Sequence, residues 1–478
     1  MAVMRKDLLK RICCIFVIIT AALSAYGDDG QKSGTKFSGY TYIEAGEVVK
    51  GVGYQLAYAY DHRWMSDACV GIFATTPIDE HLKVLMGFEG QLAFPFNSYI
   101  QNPDPQYVST RYSINSFWVS KGEGIYTFGD LAGTSLQIEA GYFPYKYDDE
   151  VRNLGEYLFR TYCYPPIMLN LFDRTFTELM GFRIGNSLGG IFHHDLILNS
   201  ETKQYPFNDF SLSYLFDAKN PEILFILPQF VTLGGGIQFY RLIPVRKDLD
   251  YFHGYSDINL ISRDTIGSYY DSTTHQTMYA TTEQWMGFPG TKVMGRTAID
   301  FKKLFPEGLE GVLGPEDLKL YGEIAVLGWQ NYPKFFEDRW QRTPVTLGIN
   351  WPTPKILHQF HNGLFDFFAD IIDLDILNTE VEYLDSPYWN STYEVFNDMV
   401  PLQDNVCDTT SPIGKHSKFK WSLYAKKSIG KRMSLMGQVA NDHLIPVSTN
   451  AREGIQDYHD VTLRVGDWWW NLRARFDF

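Results

Sequence analysis

The end of this chain alternates strictly by chemistry. Read backwards in steps of two, Phe478, Phe476, Ala474, Leu472, Trp470 and Trp468 form an apolar series. The residues between them, Asp477, Arg475, Arg473 and Asn471, are polar, and Trp469 is the single interruption. Successive side chains on a strand point to opposite faces. The segment is therefore a β-strand with one apolar and one polar face, and it stops on an aromatic carboxyl terminus.

The same alternation recurs along the chain. Strands are expected at 37–49, 68–76, 82–94, within 113–128, 135–143, 179–188, 191–201, around 210–216, 230–242, 291–304, 318–329, 343–351, 373–383, 418–428, 432–442 and 467–478. In 82–94, Leu82, Val84, Met86, Phe88, Gly90 and Leu92 share one face. The expected connections alternate between short and long. Gly189-Gly190 is a two-residue hairpin turn, and Ile429-Gly430-Lys431 is another short one. Residues 144–178, 243–290 and 384–417 are long. A long connection at 352–372 breaks the parity; Leu357, Phe360, Leu364, Phe365 and Phe368 give it helical spacing.

A strand ending on Phe478 resembles the closing strand of Gram-negative outer-membrane β-barrel proteins. In that family the terminal aromatic and the alternating apolar positions form the assembly signal. The resemblance assigns that role to Trp470, Leu472, Phe476 and Phe478, and it implies the barrel-assembly machinery and outer-membrane lipid as partners. The expected fold is all-β: an antiparallel up-and-down transmembrane barrel of about sixteen strands, within a range of ~14–18, with short periplasmic turns and long extracellular loops. Only a closed sheet can present strands to lipid without leaving backbone groups unpaired.

The amino-terminal sequence agrees. Arg5, Lys6, Lys10 and Arg11 precede the apolar run Ile12 to Leu23, and Ala25-Tyr26-Gly27 offers small residues at a cleavage site. We expect a signal peptide over 1–27, a polar lead-in over 28–36 and the barrel over 37–478. After Leu23 there is no apolar run of about 18 residues, the length a membrane helix needs. Residues 1–27 hold four basic side chains and one acidic, Asp7, so the mature net charge is −17 in place of −14 for the whole chain. That charge disfavours nucleic acid. Cys69, Cys163 and Cys407 remain, and their spacing fits no zinc pattern. No metal or other cofactor is expected. Aromatic residues make up 16% of the chain beside 21% charged residues, as suits strands with one lipid face and one water face and rings at the interfaces.

At about sixteen strands the lumen is wide enough for water. Strand parity selects inward side chains: Arg183, Arg296, Glu323, Glu380, Glu382, Lys420, Lys426, Arg473 and Arg475. If they line a pore, an acidic arc (Glu323, Glu380, Glu382) faces a basic arc (Lys420, Lys426, Arg473, Arg475), and their transverse field favours polar solutes. The connection 144–178 follows the fifth strand, as does the inward-folding constriction loop of sixteen-stranded general porins. Its candidate constriction residues are Asp148, Asp149, Glu150, Arg152, Glu156 and Arg160. Val151, Leu154 and Leu158 fall at helical spacing, with Glu156 and Arg160 at i and i+4. A short amphipathic helix is expected, either against the inner wall or as an external lid.

The function expected from these features is passive diffusion of small hydrophilic solutes, by a protein that could form homo-oligomers. An enzyme barrel is the alternative: His193 and Asp195 share a strand face, with His194 between them. No G-x-S-x-G or Walker motif is present. An adhesin or carbohydrate-binding surface could use loop aromatics such as Pro387-Tyr388-Trp389. An energised receptor would need a folded plug, and only 28–36 precedes the first strand.

Overall fold

The computed structural model describes residues 34–51, 61–93, 114–129, 134–159, 177–189, 191–200, 209–219, 230–243, 245, 260–273, 275–285, 290–304, 313–330, 338–353, 374–385, 418–441, 444–450, 455–460 and 464–478. The expected signal peptide, Arg160, Cys163, Cys407, the helical spacing within 357–368 and Pro387-Tyr388-Trp389 lie outside these residues.

The described chain forms twenty strands. In order they are β1 (Lys36–Lys50), β2 (Arg63–Pro77), β3 (Leu82–Ala93), β4 (Ile114–Gly129), β5 (Ser135–Tyr145), β6 (Thr177–Leu188), β7 (Phe192–Ser200), β8 (Phe210–Lys219), β9 (Val231–Ile243), β10 (Leu260–Asp271), β11 (Gln276–Trp285), β12 (Gly290–Asp300), β13 (Lys319–Gln330), β14 (Val345–Asn350), β15 (Ile376–Tyr383), β16 (Phe419–Ile429), β17 (Met433–Ala440), β18 (Leu444–Asn450), β19 (Ile455–Asp460) and β20 (Trp468–Asp477). Sixteen of them close one antiparallel barrel in chain order, from β1 through β9, β12 to β17, and β20. β20 returns to β1 with Arg473 opposite Glu44 and Arg475 opposite Tyr42. Phe478 completes the seam by exchanging two backbone hydrogen bonds with Gly39, of 2.8 and 2.9 Å.

Each barrel strand was anticipated, with shifted ends. β2 starts at Arg63 rather than 68, β14 covers only Val345–Asn350, and the strand expected over 291–304 stops at Asp300, where Phe301–Leu304 turns as a 3-10 helix. Two connections expected to lack strands contain hairpins. β10 pairs with β11 and β18 with β19, each as a separate two-stranded sheet.

Connection length follows parity. At the barrel end that holds Lys36 and Phe478 the links include 78–81, 130–134, 189–191 and 430–432. At the other end they include 94–113, 146–176, 244–289, 384–418 and 441–467. The short-link end also carries three longer links, 220–230, 301–318 and 351–375.

The outward faces are apolar and bare. Phe117 is 75% exposed, Leu472 61%, Phe182 60% and Ile43 55%. Apolar exposure of this extent around a whole barrel is covered by hydrocarbon, not by water. The closed sheet satisfies the backbone that hydrocarbon would otherwise leave unpaired. The fold is a transmembrane up-and-down β-barrel.

Candidate functional site

The connection after β5 decides what the lumen can do. Residues 146–159 make hydrogen bonds and ion pairs with β12, β13, β14, β15 and the link between β12 and β13. In the closed order, β15 stands eight places round from β5 in a ring of sixteen. A segment that leaves one wall and is fastened to the opposite one must cross the interior. The lid alternative is therefore excluded for 146–159.

No helix forms there. The backbone runs through bends and turns. Gly155 has φ 98° and Glu156 φ 58°, both in the left-handed region that an α-helix does not use. Helical hydrogen bonds are replaced by bonds to carboxylates on the wall. Glu380 accepts from the backbone N–H groups of Arg152 (2.6 Å), Asn153 (2.8 Å) and Leu154 (2.7 Å). Glu323 accepts from the N–H groups of Glu156 (2.6 Å) and Tyr157 (3.0 Å). Glu156 closes the loop on itself by accepting from the N–H groups of Tyr147 (3.0 Å) and Asp148 (3.1 Å). Carboxylates that gather several N–H donors make strong, charge-assisted bonds.

Side chains add further ties. The Tyr147 hydroxyl donates to Glu323 at 2.6 Å. The Tyr157 hydroxyl donates to Glu382 at 2.8 Å and also contacts the Thr346 hydroxyl. Burial holds both loop phenols well above their ordinary pKa, so they remain protonated donors. The Lys292 ammonium donates to the Tyr157 and Leu158 carbonyls at 3.4 and 3.3 Å. Glu150 pairs with Lys319 at 3.1 Å, and Arg152 with Glu316 at 2.9 Å.

The apolar residues that suggested a helix serve a different end. Val151, Leu154 and Leu158 are all buried. Leu158 joins Phe143, Tyr145, Tyr147, Tyr157, Phe159, Leu215, Tyr240, Met294 and Leu327 in one cluster between the loop and the inner wall. The loop thus seals apolar surface on one side and presents backbone donors to carboxylates on the other.

All nine inward candidates fall on the inward faces by register. Their surroundings differ from the expected pair of arcs. Lys420, the cross-strand partner of Glu382, is buried, and Glu323, Glu380 and Glu382 lie buried beneath the loop. These three carboxylates hold the loop and do not face an open lumen. Arg183 is spent on Asp195 (2.8 Å) and Glu139 (3.0 Å). Arg296 lies between Asp148 (3.4 Å) and Asp217 (3.6 Å), with its guanidinium over the Tyr147 ring. Arg473 bonds Glu44 at 2.7 Å, Arg475 bonds Asp477 at 2.8 Å, and Lys426 stands in register with Ile376 and Met436. Among the loop candidates, Asp148 is buried and accepts from the Glu150 N–H, while Asp149 is exposed.

His193 Nε2 lies 3.2 Å from Asp195 Oδ2. The same carboxylate also accepts from the Tyr145 hydroxyl (2.8 Å) and Arg183. Asp195 is the hub of a structural network, and no described Ser or Cys hydroxyl or thiol is bonded to His193. A cavity of about 230 Å³ opens beside this network, lined in part by Tyr147, Asp148, Arg183, Asp217, Lys219 and Arg296. Sequence reasoning placed Glu323 and Glu380 on the correct face but did not identify the loop as their partner.

No family model matches this chain, and no curated protein matches it. Solved structures that it resembles include Pseudomonas putida OprB, with 10% identity, a TM-score of 0.47, and coverage of 93% of this chain and 94% of that one. Mutant forms of the Rhodopseudomonas blastica porin also match. One is 10% identical with a TM-score of 0.41, covering 93% of this chain and all of that one (100%). The resemblance to outer-membrane porins is one of fold.

Proposed function

We propose that this protein is an outer-membrane channel for passive diffusion of small hydrophilic solutes. The observation that carries this reading is the combination of an apolar, bare exterior with an interior crossed by a loop that is bolted to the far wall. A barrel built only as an anchor has no use for such a bolt, whereas a channel needs its lumen narrowed to a fixed width. The ties of 146–159 described above go to β12, β13, β14, β15 and the link between β12 and β13, and the passage runs beside the rest of the wall, along β16, β17, β20 and β1 to β4.

The reading includes export by the signal peptide over 1–27 and assembly through the closing strand, with Trp470, Leu472, Phe476 and Phe478 as the recognised residues. Homo-oligomer formation is compatible with the exposed apolar wall. No enzymatic activity is proposed, because His193 and Asp195 are tied into the network that holds Tyr145 and Arg183.

Swelling of liposomes containing the purified full-length protein tests the reading. Uncharged hydrophilic solutes should enter at rates that fall steeply with size. Liposomes that stay impermeable to the smallest solutes would refute it.

A further inference from the structure

The acidic composition of the chain suggests a cation pathway. The layer of side chains along the proposed passage points the other way. On the inward faces of β1, β3 and β4 the carboxylates Glu44, Glu89 and Glu123 are buried. Among the described side chains on the inward faces of this arc, Lys83, Lys121, Lys426, Arg473 and Arg475 are partly exposed, while Lys420 of β16 is buried. Asp477 is the accessible carboxylate among the described inward residues of β20, and it sits at the barrel end, 2.7 Å from Arg475. Glu323, Glu380 and Glu382 of the opposite arc are covered by the loop, as described above.

Three of these cations are held in a defined row. The Arg473 and Arg475 guanidinium groups lie 4.2 Å from the ring centroids of Tyr42 and Tyr40. The Lys121 ammonium lies 5.3 Å from the Phe73 ring centroid. Tyr40 stacks on Tyr42 with centroids 6.1 Å apart, and Phe73 lies 5.9 Å from Tyr40. Gly87 stands between Phe73 and Lys121 in register. A Cβ there would meet the Phe73 ring at 2.6 Å, so glycine leaves the ring the room to pass beneath the lysine. Cation–π contact holds a charged side chain along an aromatic surface. Here it holds three cations against the wall, beside the passage and not across it.

Rings of fixed charge along a narrow aqueous path set the sign of the ions that pass. We propose that the channel is selective for small anionic solutes, and that Lys83, Lys121 and Lys426 set this selectivity, beside Arg473 and Arg475, whose charges are shared with Glu44 and Asp477. The net charge of the chain points the other way but does not describe the passage, because Glu323, Glu380 and Glu382 hold the loop and Glu44 and Arg473 neutralise each other. The inference rests on the channel reading.

The reversal potential of the full-length protein in planar bilayers, under a potassium chloride gradient, tests it. The expected potential has the sign of chloride preference, with a permeability ratio of about 2 or more. The triple substitution Lys83→Gln, Lys121→Gln and Lys426→Gln should lower that ratio at least about twofold while leaving the loop bolt intact. A wild-type potential of the potassium sign would overturn the inference and leave the channel reading standing. So would a chloride preference unchanged in the triple variant. Absence of any current would refute the channel reading itself.

Discussion

Replacing Glu380 by Gln should unseat the loop. The wild-type carboxylate accepts three consecutive backbone N–H groups, of Arg152, Asn153 and Leu154, and the Tyr321 hydroxyl at 2.6 Å. It is fully buried. Gln keeps the shape but has one acceptor oxygen, no charge, and an amide donor that would face other donors. Hydrogen bonds to charged groups contribute about 1.5–3 kcal/mol each, and buried donors left unpaired cost a similar amount. With Gln retaining part of the network, the seated loop should lose about 4 kcal/mol relative to an unseated one. At 1.4 kcal/mol per tenfold, the unseated population rises ~10³-fold. The barrel should persist, because its sixteen strands close without this side chain. Hydrogen exchange of the 152–154 amides, measured in bilayer discs, reads the effect directly. Their protection should fall by roughly that factor, and the amides of β1 and β20 should keep theirs. Equal protection of 152–154 in wild type and variant would refute the anchoring argument.

Other predictions concern pH and the lipid face. Glu150 lies in the loop, and burial raises its carboxyl above the ordinary value of 4.5, with Lys319 opposing. A carboxyl whose pKa is raised in the seated loop stabilises that state fully below its ordinary pKa and ceases to do so as pH rises through the raised value. Exchange of the loop amides should therefore speed up, beyond the intrinsic pH effect, as pH rises above the ordinary carboxylate range. Glu150→Gln should remove the excess; an excess that survives would assign the titration elsewhere. Leu472→Arg puts a charge on the bare outer face of the closing strand and should cost about 2–4 kcal/mol of folding stability if the site lies near mid-membrane. Denaturant titration in lipid vesicles checks this, and a change below about 0.5 kcal/mol would show that Leu472 does not face hydrocarbon.

The barrel was largely legible because its strands have two solvents. Lipid on one side and water on the other force alternation, as in Leu472 against Arg473. The hairpin of β10 and β11 escaped for the opposite reason. Its described side chains, including Ser268, Tyr269, Tyr270, Met278 and Tyr279, are exposed along both parities, so no face is selected and no period-two signal arises. The loop misled for a third reason. Val151, Leu154 and Leu158 are spaced as on a helix, but they reach buried positions through a chain bent at Gly155 and Glu156. The donors that a helix would satisfy internally are satisfied by Glu323 and Glu380 instead. Glu380 lies 226 to 228 residues from the amides it holds, beyond any local pattern. Parity identified the inward carboxylates, but only the closed order of strands shows what they hold.

The central claim is that residues 146–159 cross and narrow a water-filled lumen. Single-channel conductance of the wild type, compared with a variant in which 147–158 are replaced by a short Gly-Ser linker, tests it most directly. The account predicts discrete conductance steps in the wild type and larger steps in the variant. Equal steps in the two proteins would contradict it.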